Sequence, residues 1–181
     1  MSGHNKWSKI KRKKGALDAV RSKVFSKHAS LIAVESRKAK GNLASPGLLA
    51  VIDRAKKDLM PKENIDRAVA KGAGAEGAAL TEVLYETYGP GGTAMLITAV
   101  TDNANRTTPE IKHTLSKLGY QLGGTGSAAW AFTKTEHGYA PNMPMNLSDE
   151  DGEKLALLVE ALEAHEDVQD IYTTADEALT E

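Results

Sequence analysis

Residues 3–14 combine many cationic side chains with one tryptophan and no acid. Lysine and arginine neutralise phosphates and release condensed counterions, while an indole ring can stack on a base. This combination is typical of a segment that binds nucleic acid, and we call residues 3–14 the basic arm. Its candidate contact residues are Lys6, Trp7, Lys9, Lys11, Arg12, Lys13 and Lys14.

The first predicted helix continues this positive charge. Arg21, Lys23 and Lys27 lie off its apolar stripe, so we predict that they also contact nucleic acid. Residues 1–71 hold 18 Lys and Arg against 6 Asp and Glu, a formal charge of +12, whereas residues 72–181 hold 5 against 18, a charge of −13. This asymmetry predicts two modules, of which the basic one meets a polyanion and the acidic one is repelled by it.

A second group of polar residues lies at a predicted strand-to-helix junction. Asp102, Asn103, Asn105 and Arg106 bring an acid, two amides and a guanidinium together, as a small-ligand site would. Turn and cap chemistry accounts for the same residues, with Arg106 pairing to Asp102. We therefore keep a secondary ligand loop as the alternative interpretation.

Several kinds of chemistry are not indicated. The chain has no cysteine, which excludes disulfides, thiolate catalysis and cysteine-ligated metals. His4 has no neighbouring carboxylate, and no nucleophile stands with a paired base, so we predict no metal, no cofactor, no catalytic residue and no enzymatic activity. No apolar run approaches the length of a membrane span or a signal sequence, which predicts a cytoplasmic protein without a membrane partner.

A Gly- and Ala-rich stretch without hydrophobic periodicity marks the predicted boundary between two modules. Residues 1–72 read as a basic module of three helices, with Ser45-Pro46 and Pro61 opening the second and third. Residues 73–79 have the composition of a linker, and residues 80–181 form the acidic module.

The acidic module reads as β-β-α-β-α-β. A type II turn with positive φ at Gly91 joins the first two strands, and the Thr107 and Glu110 pair opens the first helix, which ends at Gly119. The alternation over Ser127–Lys134 predicts a strand with Trp130 buried, and Ser148 caps the last helix before a strand at Val168–Thr173. Right-handed crossovers would place both helices on one face, so the predicted fold class is α+β: a three-helix module followed by a ferredoxin-like α/β sandwich.

Separated stretches of the sequence resemble the YebC/PmpR family, whose members are named probable transcriptional regulators. Their number and common order argue against a chance similarity. The stretches are Gly3-His4-Asn5-Lys6-Trp7, Met60-Pro61-Lys62, Tyr85-Glu86-Thr87-Tyr88-Gly89-Pro90-Gly91-Gly92, Thr101-Asp102-Asn103-Ala104-Asn105-Arg106-Thr107, Gly126-Ser127-Ala128-Ala129-Trp130-Ala131-Phe132 and Asp167-Val168-Gln169-Asp170-Ile171-Tyr172.

The resemblance implies a regulator, and it also implies a departure from the family. Members usually carry a third domain after the strand at Trp130–Lys134, and here only about residues 137–147 separate that strand from the last helix. Bacterial members are similar to DNA-binding transcriptional regulators, while the mitochondrial relative is a translational activator of cytochrome c oxidase and some members resemble ribosome-associated factors that relieve stalling.

Three hypotheses for the function follow. The leading one is a nucleic-acid-binding transcriptional regulator that holds duplex DNA and acts with the transcription machinery. The second is a translation factor that binds ribosomal RNA on the ribosome. The third, and least favoured, is an enzyme that uses the Asp102–Arg106 loop on a small molecule. The sequence does not indicate an oligomeric state.

Overall fold

The amphipathic pattern of the N-terminal part folds into three helices. The computed structural model describes residues 17–74, 79–135 and 138–176, with side chains from residue 21 onward. The basic arm therefore lies outside the described residues. Helix α1 spans Leu17–Lys38, α2 spans Pro46–Lys57 and α3 spans Lys62–Ala73.

The described chain divides into two compact units. The three helices, with residues 79–82 and 100–104, form what we call the helical unit. Residues 83–99 and 105–176 form the α/β unit. No helix among the described residues is both long enough and apolar enough to cross a membrane.

Local sequence signals set the helix ends of the helical unit. Pro46 is the first residue of α2 behind Ser45, and Pro61 stands immediately before α3, as predicted. After α1 the chain turns through Gly41, whose φ of 76° is a conformation that glycine adopts without strain.

The apolar stripes of the three helices meet in one core. One polar pair is placed beside it: Nε2 of the buried His28 lies 2.7 Å from Oδ2 of Asp58, which joins α1 to the end of α2. Because each group satisfies the other, the buried imidazole is not left without a hydrogen-bond partner. The buried core residues are Ile32, Leu48, Ile52, Ala55, Met60, Ile65 and Ala68.

Helices α1 and α3 approach each other closely at Gly72. A Cβ atom at this position would collide with the carbonyl oxygen of Ala33 and lie 2.7 Å from Cβ of Ser36. The fully buried Ser36 donates a hydrogen bond from Oγ to the carbonyl oxygen of Val69 at 2.8 Å. Small residues on both helices therefore set the spacing between α1 and α3.

The α/β unit is built on a three-stranded sheet in the order β1-β2-β5. Strand β1 spans Thr81–Tyr88, β2 spans Ala94–Thr101 and β5 spans Val168–Thr173, and β2 and β5 are antiparallel. The turn between β1 and β2 places Gly91 at a φ of 63°, as predicted. Helix α4 spans Ala104–Lys117 and α5 spans Asp149–Glu163, while a separate antiparallel pair contains β3, Phe132–Thr135, and β4, Gly138–Pro141.

Strand β2 is covered on both faces. Met95, Ile97 and Ala99 pack with residues of α4 and α5, so both helices lie on one face of the sheet. Ala94 and Leu96 point the other way and pack with Ala128, Ala131 and Phe132. A strand buried on both faces must be apolar at nearly every position, which accounts for the continuous run Ala94-Met95-Leu96-Ile97. The predicted α+β class, a three-helix module followed by an α/β sandwich, is confirmed. The predicted order β-β-α-β-α-β lacked β4, and in the described residues the main sheet has three strands where a ferredoxin-like sandwich has four.

The predicted strand over Ser127–Lys134 differs from the structure in detail. A 3-10 turn occupies Ala129–Ala131, and β3 then pairs with β4, with Phe132 opposite Pro141, instead of extending the three-stranded sheet. The prediction that Trp130 is buried is wrong, since its side chain is 69% exposed. The two-residue alternation predicted an extended segment. Hydrogen bonds from the backbone N–H groups of Ala128 and Ala129 to the carboxylate of Glu86 bend it instead.

The ends of α4 and α5 test three predicted signals. Helix α4 begins at Ala104, so the predicted capping role of Thr107 is wrong, because its buried hydroxyl lies within the helix and donates to Oδ2 of Asp167 at 2.6 Å. The end of α4 before Gly119, with its φ of 86°, is confirmed. The cap of α5 is also confirmed, since Oγ of Ser148 accepts from the backbone N–H of Asp151.

Candidate nucleic-acid interface

A groove of about 670 Å³, open to solvent, lies between helices α1 and α3, and we call it the α1/α3 groove. Residues of α1 line one wall at successive helical turns, and residues of α3 line the other at spacings of three and four. The lining residues are Arg21, Ser22, Phe25, Ser26, Ala29, Ser30, Ala33, Met60, Asn64, Arg67, Ala68, Lys71 and Leu80.

The charge of the α1/α3 groove is wholly positive. Arg21, Arg67 and Lys71 are its ionised lining residues, and all three are exposed. The guanidinium of Arg67 donates to Oδ1 of Asn64, which holds it along the wall of α3. None of the lining residues is acidic, so an anion in the groove would meet three cations and no like charge.

Hydroxyl-bearing and apolar residues also line the α1/α3 groove. Ser22, Ser26 and Ser30 recur every four residues on α1 and form a row of hydroxyls. The half-buried Phe25 lines the groove with an apolar ring, and it packs against the core that contains the buried lining residue Met60. The groove can therefore make hydrogen bonds and apolar contacts as well as neutralise charge.

The structure separates the three cations predicted on α1. Arg21 lines the α1/α3 groove beside cations of α3. Lys23 and Lys27 are half-buried on α1 and do not line it. The other predicted contact residues, Lys6, Trp7, Lys9, Lys11, Arg12, Lys13 and Lys14, lie outside the described residues.

A further cation of α1 is engaged within the helical unit. Nζ of Lys38 lies 2.7 Å from Oε1 of Glu35 and 3.1 Å from Oε1 of Glu82. Burial alone would lower the pKa of the Lys38 amine, but the hydrogen bonds to the two carboxylates raise it above its usual value. Lys38 is therefore held by acids of its own unit, unlike the cations of the groove.

Sequence reasoning missed the contribution of α3 to the groove. Asn64, Arg67 and Lys71 stand three and four residues apart and share one helix face. The four-residue spacing of Ser22, Ser26 and Ser30 was also a detectable signal. Neither pattern shows that the two faces meet, because that depends on the packing of α1 on α3.

The four residues of the predicted secondary ligand loop lie at the strand-to-helix junction. Asp102 and Asn103 follow β2, while Asn105 and Arg106 lie in the first turn of α4, and all four are exposed. The guanidinium of Arg106 donates to Oδ2 of Asp167 at 2.9 Å. This bond ties α4 to the segment before β5, which is a structural role for Arg106.

Glu86 organises the loop before β3. The carboxylate is buried and accepts hydrogen bonds from the backbone N–H groups of Gly126, Ala128 and Ala129 at 2.6–2.7 Å. Burial alone would raise the pKa of Glu86, but the three N–H donors outweigh it and hold the pKa below its usual value. The loop is thus fixed around one ionised side chain.

The segment before β3 that Glu86 holds in place carries the exposed Trp130. Its Nε1 donates to the carbonyl oxygen of Ser127 at 3.0 Å and to Oη of Tyr88 at 3.1 Å. Oη of Tyr88 also donates to the carbonyl oxygen of Ser127, at 2.7 Å. The polar edge of the indole is therefore satisfied inside the α/β unit.

Two family models match almost the whole chain. Residues 5–75 match the model described as the TACO1/YebC protein N-terminal domain. Residues 80–137 and 133–175 match the model described as the TACO1/YebC second and third domain. Except for Leu80, the residues that line the groove lie in the part that matches the N-terminal domain.

The chain is similar to curated proteins named "Probable transcriptional regulatory protein". One from Desulfatibacillum aliphaticivorans is 48% identical over 173 residues, which cover 94% of this chain and 67% of that protein. Others are 52% identical, from Syntrophobacter fumaroxidans, and 48% identical, from Petrotoga mobilis, each over 136 residues. These matches cover 74% of this chain but only 55% and 54% of the relatives, so the chain spans about half their length.

A solved structure has a similar fold. The crystal structure of a conserved hypothetical protein from Aquifex aeolicus superposes with a TM-score of 0.79 at 29% sequence identity. The match covers 92% of this chain and 96% of that one.

Proposed function

Because this chain belongs to the TACO1/YebC family, we propose that it is a regulator of gene expression that binds duplex DNA through the basic arm and the α1/α3 groove. The names of the curated relatives support a role in transcription. The observation that carries the proposal is the set of three cations, without an acid, that lines the groove.

The electrostatics favour a polyanion as the ligand. Arginine and lysine side chains position a protein on the phosphate backbone and carry no sequence information by themselves. The three groove cations and the six cations of the arm belong to the half of the chain with a charge of +12. The proposal includes a cytoplasmic location and the transcription machinery as a further partner.

A charge-matched pair of variants tests the groove. Lys71→Ala removes a groove cation, whereas Lys57→Ala removes an exposed cation of α2 that does not line the groove. We expect Lys71→Ala to weaken binding to a labelled 20-base-pair duplex about three- to tenfold, measured by fluorescence anisotropy, because one phosphate contact is lost. Lys57→Ala should change the affinity much less. Equal losses in the two variants would mean that the groove is not the binding site.

The basic arm and the secondary ligand loop give contrasting expectations. Replacing Lys11, Arg12, Lys13 and Lys14 with alanine should weaken DNA binding by orders of magnitude with little change in melting temperature.

Arg106→Ala should leave the affinity for DNA nearly unchanged, because Arg106 bonds to Asp167 in the α/β unit. A strong loss in Arg106→Ala would instead mean that the α/β unit belongs to the nucleic-acid-binding site.

Ribosomal RNA is the second candidate target. The row of Ser22, Ser26 and Ser30 favours it, because hydroxyl groups can bond to the 2′-hydroxyls that distinguish RNA from DNA. Crosslinking in living cells followed by sequencing of the attached DNA and RNA separates the two. Enrichment of promoter DNA supports transcriptional regulation, whereas enrichment of one ribosomal RNA locus replaces it with a role in translation.

A further inference from the structure

We propose that the α1/α3 groove takes a single unpaired nucleotide, with its base inside the groove and its phosphate on the cationic rim. This inference rests on the proposed function, since it specifies which part of a nucleic acid the groove binds. The groove binds one nucleotide outside the base stack, while the arm contacts the phosphate backbone.

The size of the groove is the first argument. Its volume of about 670 Å³ falls in the range of about 300–1,000 Å³ that is usual for sites of small organic ligands. A phosphate group on a backbone that passes over the protein needs only surface cations. An open groove of this volume leaves room for a base and its sugar as well.

The chemistry of the walls is the second argument. The half-buried Phe25 offers an aromatic face on which a base can pack, beside the buried core residue Met60. Ser26, Ser30 and Asn64 lie on both walls and can meet the donors and acceptors of a base edge. A site for phosphate alone would use neither feature.

The arrangement of the charges is the third argument. Arg67 and Lys71 lie one turn apart on α3, and Arg21 lies on α1 at the other wall. Among the described residues no acid forms an ion pair with Arg21 or Lys71. The phosphates on either side of an inserted base would therefore meet cations from both helices.

An unpaired nucleotide is the part of a nucleic acid that can enter. In a paired duplex the bases are stacked and bonded to each other, and removing one from the stack has a cost that is smallest where the base has no partner. The groove should therefore discriminate between duplexes that carry the same phosphates but differ in one unpaired base.

The test compares two DNA duplexes of 20 base pairs, one fully paired and one with a single central unpaired 2-aminopurine. Binding to the full chain is measured by competition anisotropy, and base insertion by the emission of 2-aminopurine. We expect about tenfold tighter binding of the duplex with the unpaired base, with a rise in emission as that base leaves the stack. The same pair in RNA shows whether the sugar matters, and a preference in either supports the proposal.

Filling the groove provides the matched control. Ser26→Trp places a bulky ring in the groove from an exposed position on α1, and Ser116→Trp makes the same change at an exposed position on α4. We expect Ser26→Trp to abolish both the preference and the emission change, and Ser116→Trp to retain both. Ser22→Trp fills the other end of the same wall and replaces Ser26→Trp if that variant does not fold.

The outcomes separate this inference from the proposed function. Equal affinity for the paired and unpaired duplexes, with no emission change, overturns the inference while DNA binding remains. A preference that survives Ser26→Trp, or Ser22→Trp where it replaces that variant, also overturns it, because the base would then be bound elsewhere. Failure of the wild-type chain to bind either duplex overturns the proposed function itself.

Discussion

Single side chains determine local conformations in this protein that the neighbouring sequence does not predict. Glu86 lies in β1 between two residues of high strand propensity, where an alternating pattern gives no reason to expect an acid to be buried. Its carboxylate reaches backbone N–H groups of Gly126, Ala128 and Ala129, at least 40 residues away. The exposure of Trp130 follows from this contact and could not be predicted from the neighbours of Trp130 in the sequence.

At this scale we predict that Glu86→Gln destabilises the α/β unit. The amide keeps one acceptor but replaces the other with a donor, which faces a backbone N–H group. We expect a loss of about 2 kcal/mol at pH 7, because a charged hydrogen bond is removed and a buried donor is left unsatisfied. Chemical denaturation followed by circular dichroism measures the loss. Glu160→Gln, at an exposed position on α5, should have little effect.

The effect of Glu86→Gln should also depend on pH. The folded-state pKa of Glu86 lies below the ordinary value of 4.5, so its stabilising contribution is complete above pH 4.5. The contribution is lost as the pH falls through the lower folded-state pKa. The difference in stability between wild type and Glu86→Gln should therefore narrow below pH 4.5, and a difference that is constant with pH would show that the ionised carboxylate is not its source.

The ends of the helices show which sequence signals predict a boundary from nearby residues alone. The proline at the start of α2, the glycine after α4 and the serine before α5 all mark the boundaries that the structure has. The start of α4 was misplaced because Thr107 bonds to Asp167, 60 residues further along the chain, instead of capping the helix. Caps and turns were predictable because their partners are within a few residues, whereas a hydroxyl with a distant partner carries no such signal.

At the scale of elements we predict opposite effects for two glycine-to-alanine changes. Gly72→Ala introduces a methyl group where α1 and α3 touch, and we expect a loss of about 1–2 kcal/mol because overpacking exceeds the gain in helix propensity. Gly152→Ala lies in α5 with nothing within 4 Å of the added Cβ, so it should stabilise by up to about 1 kcal/mol. Denaturant titrations of both variants provide the comparison.

The same pair bears on the groove, since Ala33 and Lys71 line it beside Gly72. We expect Gly72→Ala to weaken DNA binding at temperatures where the variant is fully folded, and Gly152→Ala to leave it unchanged. If Gly72→Ala is as stable as wild type, the helices can separate without cost and their close approach does not set the width of the groove.

Across the whole molecule, the sequence predicted the charge but not the cavity. The contrast of +12 and −13 between its two parts is visible in composition alone. The α1/α3 groove combines side chains from helices that are about 40 residues apart in the sequence, and no periodic pattern pairs Ser26 with Arg67. The expectation of an anionic ligand therefore comes from composition, whereas the shape of the groove depends on tertiary packing.

Salt dependence provides a prediction for the whole molecule, because it counts the phosphates that the protein neutralises. If the arm and the groove together engage about six phosphates, the logarithm of the association constant should fall with the logarithm of salt at a slope of about −5. Lys71→Ala should reduce the magnitude of this slope by about one, and alanine at Lys11, Arg12, Lys13 and Lys14 by about four.

Combining the arm and groove substitutions tests whether both parts bind one DNA molecule at once. Distant contacts that are made together contribute independently, so the two reductions in slope should add in the combined variant. If the arm and the groove instead bound in alternative complexes, the combined variant would lose less than the sum. A slope near zero in the wild-type chain would overturn the electrostatic account altogether, because neither part would then be releasing counterions from a phosphate backbone.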